Sequence, residues 1–196
     1  MNPSCELIVG PMFSGKTTAI IQRWKINNLK NIPTIVINYE GDNRYDSKLL
    51  SSHDKVKIPC VKLSKLEKLF ELFKNDETFM TDGIIKQEIL INEGQFFDDL
   101  YVSVKKLLGM GHSVVVGGLD GDYKMEKFGE ILDLIPLSTK ITKLKAVCYN
   151  CYGDAYFTMR VSNSKEQKII GGDDIYRAVC RKCHCIYDSE SKQLEK

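Results

Sequence analysis

Residues 10–17 read GPMFSGKT, a segment whose residue types and spacing are suited to binding phosphate. The pattern G-x-x-x-x-G-K-[ST] lies here between an apolar run, residues 7–9, and a helical pattern that begins at Thr17. In this context backbone amides and a helix N-terminus attract phosphate, Lys16 adds a positive charge, and Thr17 offers a hydroxyl to Mg²⁺. The segment predicts nucleoside triphosphate binding through Gly10, Pro11, Met12, Phe13, Ser14, Gly15, Lys16 and Thr17.

Two further polar groups follow apolar runs that are typical of buried strands. Glu93 is the first carboxylate after residues 89–91, at the sheet edge where parallel sheets bind ligands. Its role is either to hold Mg²⁺ or to act as a general base that accepts a proton from a hydroxyl. Asp42, Asn43 and Arg44 follow the run that ends at Asn38, and Arg44 could reach phosphate charge, although such a group is also common on ordinary surface.

Five of the seven cysteines lie in the last quarter of the chain. Cys148 and Cys151 form one C-x2-C pair, and Cys180 and Cys183 form a second pair, with 28 residues between the two pairs. Four thiolates on two turns favour a closed structural Zn²⁺ site, whereas the odd total and the clustering fit a secreted disulfide framework poorly. His184 and Cys185 follow directly, and either could replace a ligand. We expect the metal to clamp the loop that it closes, which contains residues 169–176.

Alternating elements must position these groups. Apolar runs typical of buried strands alternate with helical patterns, at residues 7–9, 17–28, 34–37, 64–74, 89–91, 97–108 and 114–116. Ser64 and Glu67 are spaced as a capping box for the second helix. Such alternation predicts an α/β fold with a mostly parallel sheet of about four or five strands, covered by helices on both faces.

After Pro136 cysteine pairs and glycines replace this alternation. We therefore expect a nucleotide-binding α/β domain built around the phosphate-binding loop over residues 1–140, a small zinc-binding domain over residues 141–190, and a disordered tail over residues 191–196. A tail of this size is too short for a large core and needs a staple such as a metal.

Composition narrows the classes of function. The 196 residues are 43% hydrophobic and 28% charged, with a net charge of +2, which is typical of a globular protein and offers no basic surplus for gripping nucleic acid. No apolar run approaches the ~18 residues of a membrane span. The N-terminus lacks the features of a secretory signal, so a cytoplasmic location without nucleic-acid or membrane partners is expected.

Taken together, these segments resemble the type II thymidine kinases, which include cellular cytosolic and poxviral enzymes. The order and approximate spacing of the shared motifs hold from residue 6 to about residue 187. The motifs are GPMFSGKT at 10–17, DNRY at 42–45, EGQFF at 93–97, LDG at 119–121, FG at 128–129, KLKAVC at 143–148, and IGG at 170–172 with Tyr176.

The resemblance implies transfer of the γ-phosphoryl group of ATP to the 5′-hydroxyl of thymidine, with Glu93 as catalytic base. It places residues 42–44 and Asn92, Glu93, Gly94 and Gln95 near ATP or its Mg²⁺. It also implies that the zinc-closed loop, called the lasso, folds over the nucleoside. The implied nucleoside site consists of Met12, Phe96, Leu119, Tyr123, Phe128, Thr158 and Tyr176. The lasso contributes the backbone of Gln167, Lys168, Ile169, Ile170 and Gly171. A homotetramer and inhibition by thymidine triphosphate (dTTP) are implied as well.

Two positions depart from the family pattern. Asn92 stands where the family usually has an aspartate, so we expect retained but reduced activity and a higher Mg²⁺ requirement. Gly117 and Gly118 replace residues that are more usually alanine, with little expected effect. Alternatives to a thymidine kinase are a kinase fold that binds nucleotides without catalysis, a nucleic-acid-binding ATPase with a zinc ribbon, and a kinase for deoxyuridine or another deoxynucleoside.

Overall fold

The computed structural model describes residues 2–42, 49–75, 86–162 and 166–194. The first part of the chain forms β1 (Cys5–Val9), α1 (Lys16–Leu29), β2 (Thr34–Tyr39), β3 (Leu49–Ser51), β4 (Lys57–Pro59), β5 (Val61–Leu63), α2 (Glu67–Asn75), β6 (Glu88–Ile91), α3 (Leu100–Gly109), β7 (Ser113–Gly118) and β8 (Lys140–Lys143). The second part forms β9 (Ala146–Val147), β10 (Asp154–Ala155), β11 (Phe157–Arg160), β12 (Tyr176–Val179) and α4 (Arg181–Leu194).

The main sheet has six strands within the described residues, in the order β5-β2-β6-β7-β1-β8, and every adjacent pair is parallel. This confirms the predicted parallel α/β sheet, but the predicted strand number was too low. The two additional strands lie at the edges: β5 has three residues and β8 reads Lys-Ile-Thr-Lys. Neither is the continuous apolar run that identifies a central parallel strand.

Alternate residues of each strand point to opposite faces of the sheet, and both faces are covered by other elements. On one face, Leu7, Ile89 and Val114 belong to a core that α2 and α3 cover with residues such as Leu69 and Leu107. The other face is covered by α1 and by the antiparallel β3–β4 ribbon, and its buried residues are Ile20, Ile21, Val36, Leu50, Ile58, Leu90 and Val115. Packing on both faces thereby fixes the positions of the strand ends relative to one another, and with them the turns that follow the strands.

The start of α2 differs from the predicted capping box. The helix begins at Glu67, and the carboxylate of Asp99 accepts hydrogen bonds from the backbone N–H groups of Leu66 and Glu67, at 3.1 and 2.8 Å. The Ser64 hydroxyl instead accepts a hydrogen bond from Lys68 Nζ. A carboxylate from the start of α3 thus caps α2, a long-range contact that local spacing could not reveal.

The C-terminal unit consists of two antiparallel ribbons, β9–β10 and β11–β12, followed by α4. The boundary expected at residue 140 falls inside β8, which belongs to the main sheet beside β1. Helix α4 extends to Leu194, into the segment 191–196 for which we expected a disordered tail. Among the described residues, no helix is both long and apolar enough to span a membrane.

Candidate functional site

Residues 10–17 form a tight turn between β1 and α1, hereafter the glycine-rich turn. Gly10 and Gly15 have φ values of 150° and 83°, and a Cβ on Gly10 would lie 2.6 Å from the backbone oxygen of Leu144. Glycine is therefore required at residue 10 by close packing and at residue 15 by its left-handed backbone. Lys16 folds back onto the turn, where its Nζ donates to the Pro11 carbonyl oxygen at 2.6 Å. Its side chain is largely buried, so the positive charge is held at the start of α1.

A chain of polar side chains runs from the glycine-rich turn across two strand ends. Thr17 Oγ1 donates to Asn92 Oδ1 at 3.3 Å, and Asn92 Nδ2 donates to Asn38 Oδ1 at 2.9 Å. Asn38 Nδ2 then donates to Asp42 Oδ2 at 3.4 Å. Since β2 and β6 pair with Ile37 beside Ile91, the residues that follow them meet at one edge. Asn38, Asp42 and Asn92 are buried.

Glu93 lies at the centre of the turn that follows β6. Its φ is 57°, a left-handed conformation that non-glycine residues adopt rarely and that often marks functional positions. Gln95 Nε2 donates to Glu93 Oε2 at 2.6 Å, and Gln95 Oε1 accepts from the Leu119 N–H at 3.0 Å. Gln95 thus ties the carboxylate to the end of β7 and orients it.

Gly118 is closely packed against this turn. A Cβ at Gly118 would come into steric conflict with Gln95 Oε1 and would lie 2.9 Å from Ile131 Cδ1. A Cβ at Gly117 would lie 3.2 Å from Ile20 Cγ1, a tight contact with a side chain that can move. A Cβ at Gly118 would therefore require the ends of the Gln95 and Ile131 side chains to shift, and the expectation of little effect at this pair stays a prediction.

A partly enclosed cavity lies beside Glu93. Its floor comes from the sheet, where Phe96, Leu119 and Phe128 form an apolar cluster and the rings of Phe96 and Phe128 meet edge to face with centroids 5.6 Å apart. All of the residues expected to surround a nucleoside line this cavity except Lys168. Gly121, Asp122 and Arg160, which the sequence analysis did not identify, line it as well.

Arg160 organises the far wall of the cavity. Its guanidinium donates to the carbonyl oxygens of Glu166 and Gln167 and, at 2.8 Å, to the Tyr176 hydroxyl. The Tyr176 hydroxyl donates in turn to the Ile169 carbonyl oxygen at 2.8 Å. The guanidinium also lies 3.9 Å from the centre of the Tyr123 ring. One buried side chain thus fixes the course of residues 166–169 over the cavity.

Alternation along β11 could have revealed Arg160. Thr158 and Arg160 are two residues apart in a strand, so they face the same side, and Thr158 was already expected to face the nucleoside. The Thr158 hydroxyl accepts a hydrogen bond from the Met12 N–H at 3.0 Å, which joins the C-terminal unit to the glycine-rich turn.

Two lasso side chains have polar partners on the main domain. Gln167 Nε2 donates to Asp122 Oδ2 at 2.7 Å, within the cavity wall. Lys168 instead forms an ion pair with Asp98 at 2.7 Å, and both side chains are largely solvent-exposed. The Lys168 side chain therefore points away from the cavity to a surface carboxylate, and the backbone role expected for Lys168 stays a prediction.

A second, more open cleft lies on the other side of Glu93. The glycine-rich turn lines it from Met12 to Thr17, and so do several residues that the sequence analysis did not identify: Thr18, Ser51, His53, Asp54, Val147, Tyr149, Asp173, Arg177 and Ala178. Met12, Glu93 and Tyr176 line both spaces. Asp42 and Asn92 do not line the cleft but lie behind it in the polar chain. Asn43 and Arg44 lie outside the described residues.

The four cysteines predicted as metal ligands converge. Within the described residues, the sulfur atoms of Cys148, Cys151, Cys180 and Cys183 all lie within 4.8 Å of one another, and Cys151 and Cys180 are 3.7 Å apart. A tetrahedral site with Zn–S bonds of about 2.3 Å has S–S edges of about 3.8 Å, so the cluster fits zinc. His184 is not part of the cluster, since its Nε2 lies 2.9 Å from the Tyr123 carbonyl oxygen.

The electrostatics of Cys148 also suit a metal ligand. Burial raises the pKa of its thiol, but hydrogen bonds from the backbone N–H groups of Cys151, Cys180 and Asn150 outweigh this effect and lower the pKa to about 6. At neutral pH one thiolate is therefore available before a metal binds. The cluster could hold zinc at the base of the β11–β12 ribbon, whose connecting loop reaches over the cavity.

A parallel sheet with a glycine-rich turn, a helix N-terminus and a carboxylate at its carboxyl edge defines the class of nucleotide-binding α/β enzymes. A family model described as thymidine kinase matches residues 3–184. The thymidine kinases of monkeypox virus and of variola virus are each 39% identical over 179 residues, which cover 91% of this chain and 95% of theirs. The fowlpox virus thymidine kinase is 40% identical over 183 residues, covering 92% and 96%.

The chain belongs to the thymidine kinase family. This confirms the resemblance identified from the sequence motifs.

Proposed function

We propose that this protein transfers the γ-phosphoryl group of ATP to the 5′-hydroxyl of thymidine, giving thymidine monophosphate in pyrimidine salvage. The observation that carries the proposal is the position of Glu93, a residue that lines both the enclosed cavity and the open cleft. A base at this junction can accept a proton from a hydroxyl in the cavity while a phosphoryl donor lies in the cleft.

In this proposal, ATP occupies the open cleft with its phosphates on the glycine-rich turn. Lys16 and the N-terminus of α1 supply positive charge, which a loose phosphoryl-transfer transition state needs more than covalent help. Mg²⁺ bound with ATP would neutralise phosphate charge. Thr17 and Asn92 offer the oxygen atoms that suit this ion, and their side chains are hydrogen-bonded to each other. Asp42, Asn43 and Arg44 remain the proposed contacts behind the phosphates.

Thymidine occupies the enclosed cavity, whose mostly apolar lining suits a small ligand. Phe96, Leu119 and Phe128 provide flat apolar contact for a base, and the lasso backbone from residue 167 to residue 171 offers amide groups to its polar edge. A buried amide left unpaired by the wrong base costs about 1–3 kcal/mol, which supports specificity. Lys168 contributes through its backbone in this proposal.

Zn²⁺ at the four-cysteine cluster would have a structural role. The four sulfur atoms fill a tetrahedral set, which leaves no open position for a reacting water. Its task is to hold the base of the lasso.

A nucleoside panel tests this function. The purified protein is incubated with Mg²⁺ and ATP and with thymidine, deoxyuridine, deoxycytidine, deoxyadenosine or deoxyguanosine, and the products are identified by mass spectrometry. We expect thymidine monophosphate as the main product, and comparable turnover of deoxyuridine would broaden the substrate class. Tight binding of ATP and thymidine without product would instead support a catalytically inactive kinase fold. DNA-stimulated ATP hydrolysis would support the zinc-ribbon ATPase.

The proposal also includes a homotetramer, a cytoplasmic location and inhibition by dTTP. Light scattering on a sizing column measures the assembly. Initial rates with increasing dTTP at fixed thymidine measure the inhibition, which we expect to weaken as thymidine is raised if both occupy the same cavity.

A further inference from the structure

The polar chain Thr17–Asn92–Asn38–Asp42 ends in a group that can only accept hydrogen bonds. An ionised carboxylate has no proton to give, so Asn38 must direct its NH₂ group toward Asp42. The Asn38 oxygen is then left to face Asn92, and it accepts from Asn92 Nδ2 at 2.9 Å. The remaining atom of the Asn92 amide, its oxygen, consequently faces Thr17.

We propose that Asp42 is a positioning residue which, through Asn38, orients the Asn92 amide so that its oxygen and not its NH₂ group faces the Mg²⁺ side of the site. This inference rests on the proposed function for the role of Mg²⁺. The orientation itself rests only on the hydrogen-bond chain.

Burial makes the orientation energetically significant. Asn38 and Asn92 are each 2% exposed and Asp42 is 7% exposed, so water cannot readily replace a lost partner. Reversing the Asn38 amide would place its oxygen against the Asp42 carboxylate and its NH₂ group against that of Asn92. Reversing the Asn92 amide would place its oxygen against the Asn38 oxygen. The backbone around the chain is also fixed, because the Asn92 N–H donates to the Ile37 carbonyl oxygen at 2.8 Å and Lys62 Nζ donates to the Asp42 carbonyl oxygen at 2.7 Å.

The hydrogen-bond chain from Asp42 through Asn38 to Asn92, hereafter the relay, explains how a neutral amide can occupy residue 92, where the family usually has a carboxylate. An amide offers one oxygen and one NH₂ group, and only the oxygen can accept from a hydroxyl or from water on a cation. In this protein the negative charge lies at residue 42. It determines which end of the Asn92 amide faces Thr17 and the proposed Mg²⁺.

An aspartate at residue 92 would therefore conflict with Asp42. In Asn92→Asp both neighbours of Asn38 would be carboxylates that only accept hydrogen bonds. The single NH₂ group of Asn38 could satisfy one carboxylate, while its oxygen faced the other. In Asp42→Asn/Asn92→Asp the chain can reverse, with Asn38 donating to residue 92 and accepting from residue 42. A lower Mg²⁺ requirement from an aspartate at residue 92 is then expected only when residue 42 has been changed.

The test is a double-mutant cycle over Asp42→Asn and Asn92→Asp with two readouts: thermal unfolding of the nucleotide-free protein, and the dissociation constant of Mg²⁺ with a non-hydrolysable ATP analogue. We expect Asp42→Asn to weaken binding about tenfold when residue 92 is Asn and to strengthen it about tenfold when residue 92 is Asp. Unfolding temperatures should show the same reversal of sign. Asp133→Asn, which removes an exposed carboxylate paired with Lys127, is the matched control and should combine additively with Asn92→Asp.

The outcomes separate the inference from the proposed function. Additive effects of the two changes in both readouts would overturn the relay, even if the parent phosphorylates thymidine. Coupling in unfolding with additive binding effects would also overturn it, because the chain would then be structural only. If the unmodified protein does not phosphorylate thymidine, the proposed function is contradicted. The double-mutant cycle of unfolding temperatures would still test the orientation of the Asn92 amide.

Discussion

The carboxyl edge of the six-stranded sheet and the C-terminal unit form opposite walls of the same cavity, but they are held in different ways. Glu93 and Phe96 follow a buried parallel strand whose position is fixed by continuous backbone pairing and by apolar residues on both faces. The lasso wall depends on a four-residue ribbon, the cysteine cluster and the hydrogen bonds of Arg160. The proposed catalytic carboxylate thus lies on the more strongly supported wall, and the proposed cover of the substrate lies on the less supported one.

This difference should appear in kinetics. Changes at the sheet edge should lower turnover with little effect on thymidine binding, whereas changes in the C-terminal unit should raise the thymidine KM with a smaller effect on kcat. Each of the following predictions could contradict that division.

The largest effect is expected from Glu93→Gln. The substitution keeps the shape of the side chain but removes the base, so kcat should fall by about 10²–10⁴-fold while the thymidine KM changes little. Steady-state kinetics and equilibrium binding of thymidine measure the two quantities. Glu71→Gln, an exposed position on α2, is the control. Unchanged turnover would remove Glu93 from the role of base.

The next effect is expected from Cys151→Ser or from zinc removal by a chelator. If loss of one ligand leaves the lasso ordered about one-tenth of the time, the thymidine KM rises about tenfold by population alone. Metal analysis and kinetics should be measured on the same preparation. Cys185→Ser is the matched control, because Cys185 adjoins the cluster but is not part of it. A zinc-free Cys151→Ser protein with a normal KM would show that the metal does not hold the lasso.

A somewhat smaller effect is expected from Arg160→Lys. Lysine keeps the charge but lacks the planar fork that reaches two carbonyl oxygens and the Tyr176 hydroxyl. Losing one buried partner should raise the thymidine KM several-fold, up to about tenfold. Arg181→Lys, at a guanidinium that lies over Phe157 and does not line the cavity, is the control. A fall in kcat at constant KM would contradict this prediction, because Arg160 would then affect turnover, as expected for the sheet edge, and not thymidine binding.

The smallest effect is expected on the stability of the sheet domain, through the protonation of His112 at low pH. His112 is buried beside Phe73, and burial lowers the pKa of its imidazole below the ordinary value near 6.5. Its Nδ1 accepts a hydrogen bond from the Gln87 N–H. The unfolded chain then binds a proton more readily than the native protein, so stability is complete above the unfolded pKa and declines as pH falls below it. Chemical unfolding at several pH values should show this decline. His112→Gln, which retains an acceptor for Gln87, should reduce it, and an identical pH profile would exclude His112 as its cause.

The sequence predicted the core of the site because continuous apolar strands mark a parallel sheet, and ligands bind where such strands end. The pairing of β2 with β6, which places Asn38 beside Asn92, depends on strand order that no local pattern contains. Lys168 was expected to contribute only through the lasso backbone, and the packed structure adds that its side chain pairs with Asp98 on the surface.

Arg160 was missed for a related reason. A buried arginine is identified by its partners, and these partners come from the loop that follows it and from the next strand. The convergence of the four cysteine sulfur atoms, by contrast, was predicted correctly, because the two short cysteine pairs carry much of their geometry in their own spacing.

Met12, Glu93 and Tyr176 line both the enclosed cavity and the open cleft, so the two spaces share a thin partition. Donor and acceptor can then sit back to back, and the phosphoryl group can pass directly from one to the other without a protein-bound carrier. Both substrates must be seated at the same time for such a transfer. Double-reciprocal plots at several fixed ATP concentrations should therefore converge, whereas parallel lines would indicate a phosphorylated enzyme that meets the two substrates in turn.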